Sequence, residues 1–165
     1  MFLLEHDAKE LLAAHGVAVP AGTLIHDTEF DAAALPPGPW IVKAQIAAGG
    51  RSKAGLIRIA ASGGEIVSHL RAMLGTTRKG MRVRECRIET GITGVEEAYV
   101  SLMLDPVAAG VRLTLAARGG VEIESLAATP GAIRGATVAP QLPELVKQAA
   151  ILTAGLAPPL ASALN

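Results

Sequence analysis

The chain has 165 residues, which is enough for one domain with a real core or for two small lobes that share one. Half of the residues are hydrophobic and 18% are charged, a composition that argues against disorder. The 15 basic and 15 acidic side chains cancel, so we expect no nucleic-acid partner.

Cysteine usage and hydropathy indicate the compartment. The single cysteine, Cys86, excludes an internal disulfide and fits a reducing environment. The first residues lack the basic and long apolar regions of a secretory signal. The uncharged stretch 148–165 is too short and too weakly apolar to span a membrane. We therefore expect a cytoplasmic, soluble chain without a membrane partner.

The first elements in chain order are a helix and two strands. Apolar residues at helical spacing predict a helix over residues 4–15. Two short apolar runs, 40–46 and 55–60, predict an antiparallel pair of strands on either side of a glycine-rich loop. That loop would then act as a flap over whatever it holds.

The middle of the chain predicts a second helix and a strand. Ser62 and Glu65 have the spacing of a capping box, and the helical apolar spacing that follows ends before Gly75. Residues 76–84 are basic and lack periodicity, which predicts an exposed turn leading into a strand near 83–89.

The last third of the chain predicts two strands, a tight reversal and a final helix. Strands are expected over 97–105 and 111–117, separated by a turn, with a further reversal at Gly119-Gly120. An apolar stripe over 142–156 predicts the last helix. Helices and strands in this order indicate an α+β fold.

The loop between the two predicted strands has the composition of a phosphate-binding loop. Gly49 and Gly50 allow the backbone to turn N–H groups toward an anion, and Lys43, Arg51 and Lys53 supply positive charge. Neither a Walker A loop nor a Gly-x-Gly-x-x-Gly fingerprint is present. An ordinary surface hairpin with basic side chains is the alternative interpretation. Lys43 interrupts an apolar run, so its burial requires an anion unless it is an edge lysine that reaches water.

Several separated segments resemble one enzyme family. They are the loop region 38–55, the opening segment 4–12, the segment 16–20, the glycine turn 119–124 and the pair Thr129-Pro130. In this order they resemble the N-terminal ATP-grasp region of the β subunit of succinyl-CoA synthetase, the ADP- or GDP-forming succinate–CoA ligase. The resemblance covers about the first 156 residues.

The resemblance implies an α+β fold of the ATP-grasp type, made of two α+β lobes. One lobe is expected over residues 18–88 and the other over 1–17 plus 92–165, with a hinge near Glu89 and the nucleotide between the lobes. The chain ends before the strands in which family members carry their metal ligands, so we expect a truncated ATP-grasp domain with no metal ligand and no catalytic residue of its own.

The resemblance also implies roles at the nucleotide. Lys43 would contact the phosphates, Glu89 and Ile92 the adenine edge at the hinge, and Glu97 the ribose hydroxyls. Ser52 stands where the family usually has glycine, which reduces the freedom of the loop. The complete predicted set is Lys43, Gly50, Arg51, Ser52, Glu89, Ile92 and Glu97.

The implied function is that of a ligase of the tricarboxylic acid cycle. The full reaction forms an acyl-CoA from a carboxylate, CoA and ATP or GTP through an acyl phosphate and a phosphohistidine, with Mg²⁺ as cofactor and an α subunit as partner. A non-catalytic nucleotide-binding or assembly module derived from that fold is the alternative. We also expect self-association through the C-terminal helix, whose apolar stripe lacks downstream strands to pack on.

Overall fold

The computed structural model describes residues 3–92, 97–119 and 129–154. Their contacts divide the chain into two units, Met1–Thr93 and Gly94–Asn165, and each unit contains both strands and helices. The predicted α+β class is therefore confirmed. The N-terminal helix clusters with the first unit, whereas the sequence grouped residues 1–17 with the second lobe.

The first unit is built on a four-stranded antiparallel sheet in the order β1-β6-β2-β3. Its strands are β1 (Gly22–Ile25), β2 (Trp40–Ala44), β3 (Ile57–Ala60) and β6 (Cys86–Thr90). The basic segment 76–84, which was predicted to be a turn, contains a small hairpin of β4 (Thr77–Arg78) and β5 (Met81–Arg82). The predicted antiparallel pair is confirmed, because Trp40 lies opposite Ala60 and Lys43 opposite Ile57.

One face of this sheet is the hydrophobic core. Val42 of β2 and Ile88 of β6 are fully buried there, together with residues of helix α2 (Gly63–Met73) such as Leu70. The buried residues of α2 are Ile66, Leu70 and Met73, a spacing of three to four that puts them on one side of a helix.

The start of α2 confirms Ser62 as the capping residue, but the return hydrogen bond of the predicted capping box reaches a different amide. The Ser62 hydroxyl accepts a hydrogen bond from the Glu65 amide at 3.3 Å, which satisfies one free amide of the first turn. The Glu65 carboxylate accepts from the Ala61 amide at 2.8 Å, one residue before the capping residue itself. The box is thus one residue wider than the sequence predicted.

Helix α1 (Glu5–Ala14) confirms the first predicted helix but not the face that its spacing implied. None of the residues of α1, all of which are described, is buried, and the apolar Leu11 is 52% exposed. The side chains that reach the sheet from α1 are polar, among them Glu5 and Lys9. The helix was predicted correctly, but charged and polar side chains, and not an apolar face, connect it to the sheet.

Over its described residues, 97–119 and 129–154, the second unit has a three-stranded antiparallel sheet in the order β7-β8-β9 and one helix. Its elements are β7 (Tyr99–Asp105), β8 (Gly110–Ala116), β9 (Ile133–Val138) and α3 (Leu142–Thr153), which packs on β8 and β9. The two predicted strands and the last helix are confirmed. The predicted reversal after Gly119 lies outside the described residues. Over the three described ranges, no helix is long and apolar enough to cross a membrane.

Candidate functional site

The face of the first sheet opposite α2 carries charged side chains. Successive residues of a strand point to opposite faces of the sheet. Lys43 therefore points away from the core face that holds its neighbour Val42, and Arg87 and Glu89 point away from the core face that holds Ile88. Lys43 of β2 is the register partner of Arg87 of β6. Two neighbouring central strands therefore bring these charges together on one face.

Helix α1 and the glycine loop add further charges to this face. Glu5 and Lys9 stand one helical turn apart on α1 and pair with each other at 3.0 Å. Arg51 comes from the loop between β2 and β3. We call the resulting set the ion-pair cluster, and its members are Glu5, Lys9, Lys43, Arg51, Arg87 and Glu89.

Lys43 is held between two carboxylates. Its Nζ lies 2.9 Å from Oε1 of Glu5 and 2.5 Å from Oε1 of Glu89, and its side chain is 17% exposed. Burial opposes the charged form, but these two hydrogen bonds outweigh it and raise the pKa of Lys43. The strand is internal to the sheet, so Lys43 is not an edge lysine. The predicted need for an anion is met here by Glu5 and Glu89.

Glu89 is the most enclosed member, with a side chain that is 2% exposed. It accepts from Lys9 at 2.5 Å and from Nε of Arg87 at 3.0 Å in addition to Lys43. Burial raises the pKa of Glu89, and the hydrogen bonds from Lys43 and Lys9 overcome that effect, so the net shift is downward. Glu89 is an ionised anchor for three cations.

Glu5 bridges the helix, the strand and the loop. Its carboxylate pairs with Lys9, with Lys43, and with Nη2 of Arg51 at 2.5 Å. Burial opposes its ionisation, yet the hydrogen bonds from these three cations lower the pKa of Glu5 to about 2. Glu5 remains charged at neutral pH.

The glycine loop is closed by its own backbone and by Arg51. The Arg51 guanidinium donates to the Ala44 carbonyl at 2.9 Å, so this side chain turns back toward the sheet. Gly50 has a φ of +73° with open space around it, a conformation that favours glycine. Among the described residues only Lys79 and Ala109 are non-glycines with positive φ, so Ser52 fits the loop without left-handed strain.

The cluster has an excess of positive charge. Its six members comprise four cations and only two carboxylates, which leaves two positive charges unmatched within the set. Glu10 approaches Arg87 at 3.4 Å, but its side chain is 61% exposed, so water screens much of its charge. Partly buried positive charge next to a glycine loop favours an anionic ligand.

Four of the seven predicted site residues meet in this region, and three do so less directly or not at all. Lys43, Arg51 and Glu89 belong to the cluster, and Gly50 precedes Arg51. Ser52 is exposed within the loop, and Ile92 is exposed at the end of the first unit.

Glu97 belongs to the second unit. Its side chain is exposed, and its backbone carbonyl accepts from the Gly119 amide at 2.8 Å. Its proposed ribose contact stays a prediction.

Sequence reasoning missed Glu5, Lys9 and Arg87 as members of the site. The signals were present: Glu5 and Lys9 have the i, i+4 spacing of a helical ion pair. Arg87 and Glu89 stand two positions apart in a strand, so both point to one face.

Metal binding has no support from the described residues. No group of three or more His, Cys, Asp or Glu side chains within 3–92, 97–119 and 129–154 is arranged to hold a metal ion. The carboxylates of the cluster are already bound by cations. We therefore derive no chemical step through Mg²⁺ from these residues.

CoA ligase β subunits are similar in sequence to most of this chain. It is 38% identical over 136 residues to the probable malate–CoA ligase subunit β of Mesorhizobium japonicum, covering 76% of this chain and 34% of the relative. It is 38% identical over 153 residues to the ADP-forming succinate–CoA ligase subunit β of Ralstonia nicotianae, covering 86% and 39%. The chain thus spans little more than a third of the length of these relatives.

A solved structure shares the fold. ATP citrate lyase from Methanothrix soehngenii, in complex with citrate and coenzyme A, superposes with a TM-score of 0.63 at 23% identity, over 87% of this chain and 36% of the other. The profile of the ATP-grasp domain matches residues 2–157, nearly the full length. With the predicted resemblance confirmed over this range, the chain belongs to the ATP-grasp family and is homologous to part of the CoA ligase β subunits.

Proposed function

We propose that this chain is the nucleotide-binding part of an acyl-CoA ligase of the succinate–CoA type. The observation that carries the proposal is the excess positive charge of the ion-pair cluster beside the glycine loop. ADP-forming relatives favour ATP as the nucleotide. GTP and the need for Mg²⁺ are parts of the proposal that binding measurements can separate.

Phosphate binding falls to the loop and to two cations. Lys43 and Arg51 offer N–H donors from the strand and from the loop, and charge-assisted bonds of this kind are roughly twice as strong as neutral ones. Gly50 lets the loop backbone approach an anion closely, because it has no Cβ and open space around it. Because the strand and the loop hold these donors in place, the donors would orient the phosphate chain.

Base recognition is better assigned to Ile92 than to the Glu89 side chain. Three cations bind the Glu89 carboxylate, and the Glu89 backbone lies between β1 and β2. Ile92 follows the end of β6 and is 53% exposed, so an adenine edge could reach this residue from solvent. Glu97 would accept hydrogen bonds from the ribose hydroxyls through its exposed carboxylate.

The remaining parts of the proposal concern the whole enzyme. A carboxylate such as succinate or malate, CoA and an α subunit would be engaged by the longer protein that the relatives represent. We place this activity in the cytoplasm and in the tricarboxylic acid cycle. The buried thiol of Cys86, whose pKa is raised to about 12 by burial, fits a structural role in a reducing compartment.

Thermal unfolding in the presence of nucleotide tests the proposal. ATP or GTP at about 100 times the dissociation constant should stabilise the chain by about 2.7 kcal/mol, which raises the melting temperature by about 5–10 °C. Scans with and without Mg²⁺ identify the metal requirement. Adenosine is the matched control, since it keeps the base and sugar but lacks the phosphates that the cluster would bind.

The proposal predicts that ATP stabilises the chain far more than adenosine does. The proposal would be contradicted if the melting temperature were the same in millimolar ATP, in millimolar GTP and in buffer without nucleotide. Equal stabilisation by ATP and adenosine would remove the cluster from the binding site.

A further inference from the structure

Glu5 binds the same two cations that the proposed function assigns to phosphate. One oxygen of its carboxylate lies 2.9 Å from Nζ of Lys43 and the other lies 2.5 Å from Nη2 of Arg51. A phosphate group offers the same kind of oxygen acceptor to these donors. Two anions cannot both occupy the short contacts that Glu5 makes.

Glu5 is the carboxylate that can be displaced. Its side chain is 20% exposed and stands in the first turn of α1. All residues of α1 are described, and none of them is buried. Glu89 is nearly inaccessible and stands in the central strand β6, where Lys9 and Arg87 also bind it. A ligand from solvent therefore meets Glu5 as the exchangeable partner and leaves Glu89 in place.

Displaced Glu5 keeps a counter-charge. Lys9 lies one helical turn away on α1, and its Nζ is 3.0 Å from the Glu5 carboxylate. Pairs at this spacing belong to a single helix, so the contact persists when only the first turn of α1 shifts. Lys9, one turn later, also binds Glu89 at 2.5 Å and holds the rest of α1 on the sheet. The contacts that the first turn has to give up besides those of Glu5 are polar ones of His6, whose amide donates to Gln45 at 2.8 Å and whose ring lies 2.7 Å from Arg87.

We propose that Glu5 and the phosphate oxygens of a ligand compete for Lys43 and Arg51, so that phosphate binding releases the start of α1 from the sheet. The proposal rests on the proposed function and adds its regulation. Glu5 acts as an internal competitor of phosphate, because its carboxylate binds both cations when no ligand does. The helix start then reports whether phosphate occupies the cluster.

Titration calorimetry with inorganic pyrophosphate tests the competition. Glu5→Gln removes the competing charge and should tighten pyrophosphate binding about three- to tenfold, the range expected when a charge-assisted contact no longer has to be broken. Asp7→Asn is the matched control, since it removes the same charge from the same helical turn. Asp7 is exposed and accepts a hydrogen bond from the Leu4 amide at 3.2 Å, and it lies outside the ion-pair cluster, so its change should stay within about twofold.

Hydrogen exchange on the unaltered chain tests the release without any substitution. Saturating pyrophosphate should speed amide exchange in residues 5–14 and slow it in the loop 50–55. Slower or unchanged exchange in α1 at saturation would overturn the proposal, whether or not the Glu5→Gln protein folds.

The outcomes separate this inference from the proposed function. If Lys43→Gln abolishes pyrophosphate binding but Glu5→Gln binds no more tightly than Asp7→Asn, the competition is wrong and the phosphate site stands. If neither the parent nor Glu5→Gln binds pyrophosphate, or if Lys43→Gln binds it as tightly as the parent, the proposed function and the inference fall together.

Discussion

At the scale of single residues, one rule predicted part of the site. A charge that interrupts an apolar strand must meet an opposite charge, and Lys43 meets Glu5 and Glu89. The partners themselves could not be read from the sequence, because they lie 38 and 46 positions away. Arg87 and Glu89 form a second buried ion pair, and its signal was their spacing of two residues in one strand.

The contacts of Lys43 change what a substitution there means. From the sequence alone, we expect Lys43→Ala to weaken nucleotide binding and leave the fold nearly intact. The structure instead predicts a loss of about 2–4 kcal/mol in stability, because the change leaves two enclosed carboxylates with one cation fewer. Arg51, which lies in the loop, is a cleaner probe of binding.

Acid should weaken the first unit through Glu5. The pKa of Glu5 is about 2 in the folded chain against an ordinary value of 4.5, so its contribution is present above pH 4.5 and is lost as the pH falls toward 2. After screening by solvent, we expect a loss of about 1–2 kcal/mol in the free energy of unfolding over this window. Denaturant unfolding at pH 6, 4.5 and 3 measures it.

Glu5→Gln provides the comparison for the acid measurement. It has no carboxylate to protonate at this position, so its stability should fall less than that of the parent between pH 4.5 and 3. Parallel losses in both proteins would show that Glu5 is not the group responsible.

At the scale of elements, the sequence predicted best where two independent signals agreed. Helix α2 has both apolar spacing and a capping serine, and it begins and ends where those signals lie. Strands β1 and β9 were missed, and β9 contains Gly135, which interrupts the alternation. Helix α1 was found from its apolar residues, yet charged residues bind it to the sheet.

Helix α3 is the element to which the expected self-association belongs. Leu142 and Val146 lie one turn apart and are 73% and 55% exposed, whereas Leu145 and Leu152 are partly buried in the second unit. If this exposed pair carries the contact, Val146→Glu should lower the mass measured by light scattering at high concentration. Burial favours association by roughly 25 cal/mol for each Å² of apolar surface.

Leu104→Glu is the control for that measurement. It adds the same charge to another exposed apolar residue of the second unit, on β7. Dissociation by Leu104→Glu but not by Val146→Glu would move the contact from α3 to β7. A parent chain that is monomeric over the whole dilution series would contradict self-association.

At the scale of the whole molecule, the family followed from ordered motifs and the site from the fold. The glycine loop and Lys43 lie on adjoining segments of the chain, so the sequence could predict them together. Glu5 and Arg87 come from segments far apart, and they join the cluster only when α1 and β6 are in place. The CoA ligase activities that the relatives' names state belong to longer proteins, which this chain matches over little more than a third of their length.

Titration of ATP into three proteins tests the phosphate site most directly: the parent, Arg51→Gln and Arg58→Gln. Arg51 joins the cluster, whereas Arg58, in the same hairpin, is exposed and donates to the Gly55 carbonyl at 3.0 Å. We predict that Arg51→Gln weakens ATP binding about tenfold or more and that Arg58→Gln changes it less than about threefold. Equal ATP affinity in the parent and Arg51→Gln at matched salt would contradict the account.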